Sequence, residues 1–233
     1  MLTKASLECL ARFRAYQPPP TKYFSLPLSR RSAVLIVLYP DAKGDLRVIL
    51  TVRTRSLRSF SGDAALPGGK SETGESPFET ARREAYEEIG LPQENSRLPG
   101  SYELEHLTQL PTSLSKNLLG VRPCVAFLSA RGEEVERLIP NLNPKEVDAI
   151  FTAPFGGFLE TRTDWYQGTW VKSWNGQKWK MHQFAVASRS HPGLTHTVWG
   201  LTARILVDAA RIGYGRDPDF SHLEGVWHFS AQY

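Results

Sequence analysis

Cysteine is scarce in this 233-residue chain, with two copies, and methionine is equally rare. Cys9 and Cys124 lie far apart without metal-ligand spacing, so neither a disulfide framework nor a thiolate metal site can be read from them. Free buried thiols in a reducing compartment are expected instead. Long apolar runs are also missing. The longest, AVLIVLY at residues 33 to 39, falls well short of the roughly 20 residues that a membrane-spanning helix needs and has the length of a strand. Nor is one sign of charge in large excess: the formal net charge of +4 is mild and spread along the chain. This suits an anionic small-molecule substrate and argues against a dedicated nucleic-acid binder, which carries a dense basic stripe. There is no internal repeat and no low-complexity linker, and 41% of the residues are hydrophobic. One α+β domain is the economical reading.

The N-terminal stretch MLTKASLECLARFRAYQ carries three basic residues and one acid, with apolar residues at roughly helical spacing. It fits an import presequence, or a first helix packing through Leu7, Leu10 and Phe13. Pro18, Pro19 and Pro20 end it. Residues 33 to 39 and 46 to 53 read as two strands joined by the DAKGD turn, and 56 to 71 as a long loop. RPCVAFLSA is another strand, and PKEVDAIFTAPFGGFLE a strand running into a short helix. Asn175-Gly176, between alternating aromatics, is the strongest hairpin signal present. TVWGLTARILVDAARIG predicts a C-terminal helix ending at Gly213.

Chemistry concentrates in GGKSETGESPFETARREAYEEIGL, residues 68 to 91. Ser76 as N-cap, Pro77 at the first helical position and Glu79 three residues after the cap form a capping-box signature; Gly90 supplies the C-cap. On the predicted helix Phe78, Ala81, Ala85 and Ile89 face the core, while Glu84, Glu87 and Glu88, spaced i, i+3 and i+4, are neighbours on another face. Like charges so close repel, and Arg82 and Arg83 are expected to offset this only in part. A divalent cation turns the repulsion into affinity, and hard oxygen donors suit Mg²⁺ or Mn²⁺ rather than zinc. Gly68 and Gly69 allow the backbone to approach a metal or a phosphate closely. A lone ExxEE would be read as a solvated acidic face.

The motif is not alone. Gly69, Glu75 and the run Arg83-Glu84-Ala85-Tyr86-Glu87-Glu88-Ile89-Gly90-Leu91 stand at the spacing of the Nudix hydrolase signature, which this stretch resembles at every fixed position. The resemblance implies an α/β/α sandwich with a mixed sheet, and attack of water on a phosphorus of a substituted nucleoside diphosphate. It further implies that Glu84, Glu87, Glu88 and the Gly69 carbonyl ligate metal and that Arg83 and Glu75 brace the loop against the helix; the carboxylate that takes the water proton varies within the family, Glu87 being the first choice here and Glu146 a candidate distal ligand or base. The domain is then expected over 32 to 213, with a helical extension over 1 to 31 and a C-terminal extension over 214 to 233.

Upstream, ILTVRTRSLRSFSGDAALPGG is rich in arginine, and Arg53, Arg55 and Arg58 offer forked donors to phosphates. It resembles the second motif of the coenzyme A diphosphatase branch of that family, with Thr51, Arg53, Arg58, Gly62, Pro67, Gly68 and Gly69 in register and Ile49, Thr54 and Leu66 as mild departures. This likeness implies cleavage of coenzyme A or acyl-CoA to 3′,5′-ADP and (acyl-)4′-phosphopantetheine, with Arg53, Arg58 and Lys70 as phosphate binders beside Gly68. Other diphosphate substrates (an oxidised nucleotide, a nucleotide sugar, a dinucleotide, a capped RNA end) and a non-catalytic Nudix-like binding module are the alternatives. Peroxisomal residence is implied by the branch alone. The last residues, Ala-Gln-Tyr, are not a Ser-Lys-Leu type signal, so cytoplasm and mitochondrion stay open, as does a homodimer. Trp165, Trp170, Trp174 and Trp179, interleaved with Lys172, Lys178 and Lys180, read as strand pairing before base stacking. His182, His191 and His196 lack ligand spacing and read as surface or packing residues.

Overall fold

The computed structural model describes residues 1–54, 62–98, 102–130, 147–162, 164–174, 177–188 and 193–222. Its elements run α1 (Lys4–Ala15), β1 (Arg31–Pro40), β2 (Leu46–Arg53), β3 (Ala64–Ala65), β4 (Gly68–Lys70), α2 (Pro77–Ile89), β5 (Tyr102–Gln109), β6 (Ser113–Leu114) and β7 (Gly120–Ala130). They continue with β8 (Val147–Pro154), β9 (Tyr166–Trp174), β10 (Gln177–Ala187), β11 (Thr195–Trp199) and α3 (Gly200–Tyr214).

The AVLIVLY run is β1, and its uninterrupted hydrophobicity has a simple cause: both faces of the strand are covered. Leu35, Val37 and Tyr39 point towards Ala81, Ala85 and Ile89 of α2. Ile36 and Leu38 point the other way, into the cluster that contains Cys9, Leu10 and Phe13 of α1 and Ile205, Leu206 and Ala209 of α3. β1 therefore lies at the centre of a mixed sheet ordered β3-β2-β1-β7-β5, with β4 on β1, β6 on β7 and β8 on β2. β1 and β7 run parallel, and the other pairings are antiparallel. Helices on the two faces complete the expected α/β/α sandwich. β9, β10 and β11 form a second, antiparallel sheet, whose Phe184, Val186 and Val198 join the α1–α3 side of the core. Among the described residues, no helix is long and apolar enough to cross a membrane.

The DAKGD turn closes as expected, with Asp41 Oδ1 accepting from the backbone N–H groups of Lys43 at 2.9 Å and Asp45 at 3.0 Å. Trp174 pairs with Gln177, so β9 and β10 are the predicted hairpin; Asn175 and Gly176 themselves lie outside the described residues. β8 runs into a short 3₁₀ helix, Phe155–Leu159, also as expected.

Four expectations need correction. The supposed loop 56–71 contains β3 and β4, held by neighbours distant in sequence rather than by their own apolar pattern. The sequence reading also missed β5, β6 and β11. α3 runs past Gly213 to Tyr214 and is capped by Gly215 in the left-handed conformation, at φ 64°. Gly213 is instead a contact glycine: a Cβ there would lie 2.6 Å from Cys9 Sγ and 2.7 Å from a Phe13 ring carbon, so it lets α1 lie close against α3. Finally, Leu7 is exposed, and Ser6 and Cys9 take the inner face of α1 with Leu10 and Phe13.

Candidate active site

The register of β4 on β1 builds the floor of the site. Ala33 opposes Gly69 and Val34 opposes Gly68, which sets the double glycine under α2. α2 starts where the capping box places it: the Ser76 hydroxyl accepts from Glu79 N at 3.3 Å, and the Glu79 carboxylate accepts from Ser76 N at 2.8 Å. Gly90 closes it in the left-handed conformation. Phe78 stacks on His106 of β5, with ring centroids 3.7 Å apart, which fixes the first turn of the helix against the sheet.

A Cβ at Gly69 would lie 2.4 Å from the carboxyl carbon of Glu84, so the bare backbone lets that side chain lie over the strand without moving aside. The Gly69 carbonyl accepts from Ser32 Oγ at 2.6 Å. Sequence reasoning did not find Ser32, because a serine at the start of an apolar strand carries no local signal.

Arg83 organises the acids. Its Nε donates to Glu75 at 2.7 Å, Nη2 to Glu75 at 3.2 Å and to the Lys70 carbonyl at 2.8 Å, and Nη1 to Glu84 at 3.1 Å and Glu87 at 3.3 Å. Glu75 also accepts from Glu72 N and from Thr80 Oγ1, each at 2.8 Å. The Arg83 guanidinium, helped by these donors, holds the Glu75 carboxyl down at about 2 and pushes the guanidinium's own pKa up. Arg82 takes no part. It is buried beside the Phe78 ring and donates to the Pro92 carbonyl, and among the described residues its Nε has no partner. The expectation that both arginines screen the acids therefore holds for Arg83 alone.

Glu88 differs from its neighbours. It is 3% exposed, accepts from Gly68 N at 3.2 Å and pairs with Arg53 at 3.7 Å. A buried carboxylate needs such partners, since burial alone would favour its neutral form. Arg53, from the end of β2, thus reaches the helix predicted to carry the chemistry. Glu87 is the most open of the three, with 43% of its side chain exposed against 15% for Glu84. Gly68, Gly69, Glu75, Arg83, Glu84, Glu87, Glu88 and Arg53 are thus brought together. Lys70 lies beside them, contributing its carbonyl while its residue surface is exposed. Arg58 and Glu146 lie outside the described residues.

Among the described residues, no group of three or more His, Cys, Asp or Glu side chains is arranged to hold a metal ion. Arg83 engages Glu84 and Glu87, and Arg53 engages Glu88. In kind, the donors fit a hard divalent cation, being carboxylate oxygens gathered over a glycine that keeps the approach open.

The profile of the NUDIX domain matches residues 29–174, more than half of the chain. The chain belongs to the Nudix family. It is accordingly a hydrolase acting on phosphoric anhydrides, in a family that generally uses divalent metal ions. Peroxisomal coenzyme A diphosphatase 1 of Saccharomyces cerevisiae is 32% identical to it over 91% of this chain and 78% of the yeast protein. Nudix hydrolase 15, mitochondrial, and Nudix hydrolase 22, chloroplastic, both of Arabidopsis thaliana, are each 39% identical over 82% of this chain. The Nudix chain spans 61% and 58% of those two plant proteins. The compartments in these three names differ, so none of them transfers by similarity.

Proposed function

We propose that this Nudix hydrolase cleaves the diphosphate of coenzyme A or acyl-CoA, yielding 3′,5′-ADP and (acyl-)4′-phosphopantetheine, with Mg²⁺ or Mn²⁺ held by Glu84, Glu87, Glu88 and the Gly69 carbonyl. The reading is carried by Arg53: the arginine of the upstream Thr51-x-Arg53 motif pairs with Glu88 at 3.7 Å, which sets a phosphate-binding cation beside the acids. The name of the yeast relative supports the same substrate. When bound, the metal neutralises the diphosphate and acidifies an attacking water.

The chain's own groups divide the remaining work. Glu75, held low by Arg83, is too weak a base to take a proton at neutral pH, and its role is to fix Arg83. Arg83 stays on Glu75 and the Lys70 carbonyl through Nε and Nη2, so only Nη1 has to release Glu84 and Glu87 for metal to bind. Glu87, the most open of the three acids and held among the described residues by Arg83 contacts of 3.3 and 3.5 Å, is the group to take the proton from water. Arg53, and Arg58 with it, bind substrate phosphates, as Lys70 does from the exposed rim. A homodimer is compatible with this reading and plays no part in it.

The test is product identification. The chain is incubated with CoA, acetyl-CoA, ADP-ribose, 8-oxo-dGTP and diadenosine tetraphosphate in ¹⁸O-labelled water with Mg²⁺ or Mn²⁺, beside Glu87→Gln. We expect CoA and acetyl-CoA to give label in one of the two phosphate products, with turnover of Glu87→Gln down at least about 100-fold. Intact CoA alongside cleavage of another compound would overturn the substrate.

A further inference from the structure

The second sheet carries two tryptophans on its outer face. Met181 and Gln183 are two residues apart on β10 and therefore share a face; Trp170 of β9 pairs with Met181, and Trp199 of β11 pairs with Gln183. His182, Phe184, Val186 and Val198 point to the opposite, buried side. On the outer face Trp170 is 38% exposed, Met181 and Trp199 are half-buried, and the two indoles stand 6.2 Å apart at 32°. Strand pairing alone does not require two large aromatics facing outwards, where they cost solvation.

This surface is joined to the catalytic end of the molecule. Trp199 Nε1 donates to Asp63 Oδ1 at 3.2 Å, the Asp63 carbonyl accepts from Arg53 N at 3.0 Å, and Arg53 pairs with Glu88. The order along this path is acids, arginine, carboxylate, indoles. We propose that Trp199 and Trp170 form a shelf on which the adenine of the substrate stacks, with the Asp63 carboxylate accepting from its exocyclic amino group. A flat base suits the shelf better than an acyl chain does. The hydrogen bond to Asp63 locks the Trp199 ring in one orientation, and a carboxylate at its edge favours an N–H donor over a hydrocarbon. Aromatic stacking tolerates any base, so discrimination falls to Asp63. This inference rests on the nucleoside diphosphate reading above for the direction in which substrate lies.

The experiment is isothermal titration of the full chain, without turnover, using adenosine 3′,5′-bisphosphate, its inosine counterpart and 4′-phosphopantetheine. Wild type is compared with Trp170→Leu, Trp199→Leu and Trp199→Phe, each checked by thermal unfolding. The exposed Trp170 gives a variant whose folding is secure, and Trp199→Phe keeps a ring while losing the bond to Asp63. We expect each leucine variant to weaken the adenosine bisphosphate about tenfold or more, with 4′-phosphopantetheine unchanged, inosine weaker than adenosine in wild type, and the phenylalanine variant intermediate. Equal affinities in folded variants, a loss confined to 4′-phosphopantetheine, or no binding of the adenosine compound to wild type would overturn the shelf. If wild type leaves CoA intact but binds adenosine bisphosphate, and either leucine variant weakens that binding, the substrate reading fails and the shelf stands.

Discussion

Glu75 shows how a single side chain reports on its surroundings. Its depressed pKa means that the folded state binds its proton less readily than the unfolded chain, so its contribution to stability is present above 4.5 and is lost as pH falls towards about 2. Chemical denaturation as a function of pH should show that slope in the wild type and a flatter one in Glu75→Gln. The same variant is expected to lower kcat, because Arg83 loses its anchor. Gly69→Ala places a Cβ where the Glu84 carboxylate lies, so that flexible side chain has to move aside; weaker metal uptake is expected, with a change of at most about 1 kcal/mol in a urea melt. At this scale the sequence was legible wherever a motif fixes spacing, as for Glu75, Arg83 and the glutamates. It was silent on partners supplied from afar: Ser32 on the Gly69 carbonyl, Thr80 on Glu75, and the difference between a buried Glu88 and an open Glu87. Those depend on where strands meet, which no local pattern encodes.

Elements divide in the same way. α2 was readable end to end because its capping box and its C-cap glycine are local chemistry. Ser76→Ala should therefore destabilise the protein by about 1 kcal/mol in thermal or urea unfolding, with the site geometry otherwise kept. β1 was readable from its apolar run and the β9–β10 hairpin from Asn-Gly. β5 escaped notice because its alternation of buried Tyr102 and Leu104 with Glu103 and Glu105 is short, the register shifting between His106 and Thr108. β4 has only three residues, two of them glycine, and exists because β1 pairs with it. The misplaced end of α3 has the clearest lesson. Gly213 looks like a stop signal, yet its work is to admit α1, so Gly213→Leu should separate the two helices and cost several kcal/mol, read as a lowered Tm.

For the molecule as a whole, the sandwich follows from one strand buried on both faces, and α2 covers only one of them. The opposite side ties in the end of the described chain. Tyr166 Oη lies 3.2 Å from His182 Nδ1, His182 Nε2 2.9 Å from His222 Nδ1, and His222 Nε2 2.9 Å from Asp208 Oδ1. Phe220 stacks on Tyr166 with centroids 4.5 Å apart. Burial, with the neighbouring His222 and Lys180, lowers His182 to about 4, so the fold prefers it neutral. The stability this gives is full above 6.5, the ordinary value, and declines as pH falls towards 4, by an amount on the order of 2 kcal/mol that His182→Gln should abolish. The sequence reading of His182 as a packing residue agrees with its burial but missed this polar chain, three of whose four members it had not singled out.

The central claim is that the acids of α2 gather divalent ions at the Gly68–Gly69 backbone. Calorimetric titration of Mn²⁺ into the wild-type chain, and into Glu84→Gln, Glu87→Gln and Glu88→Gln, tests it most directly. The account predicts clear uptake by wild type that each amide weakens by at least about tenfold, since each removes a charged ligand. No uptake by wild type, or uptake that survives all three substitutions, would contradict it.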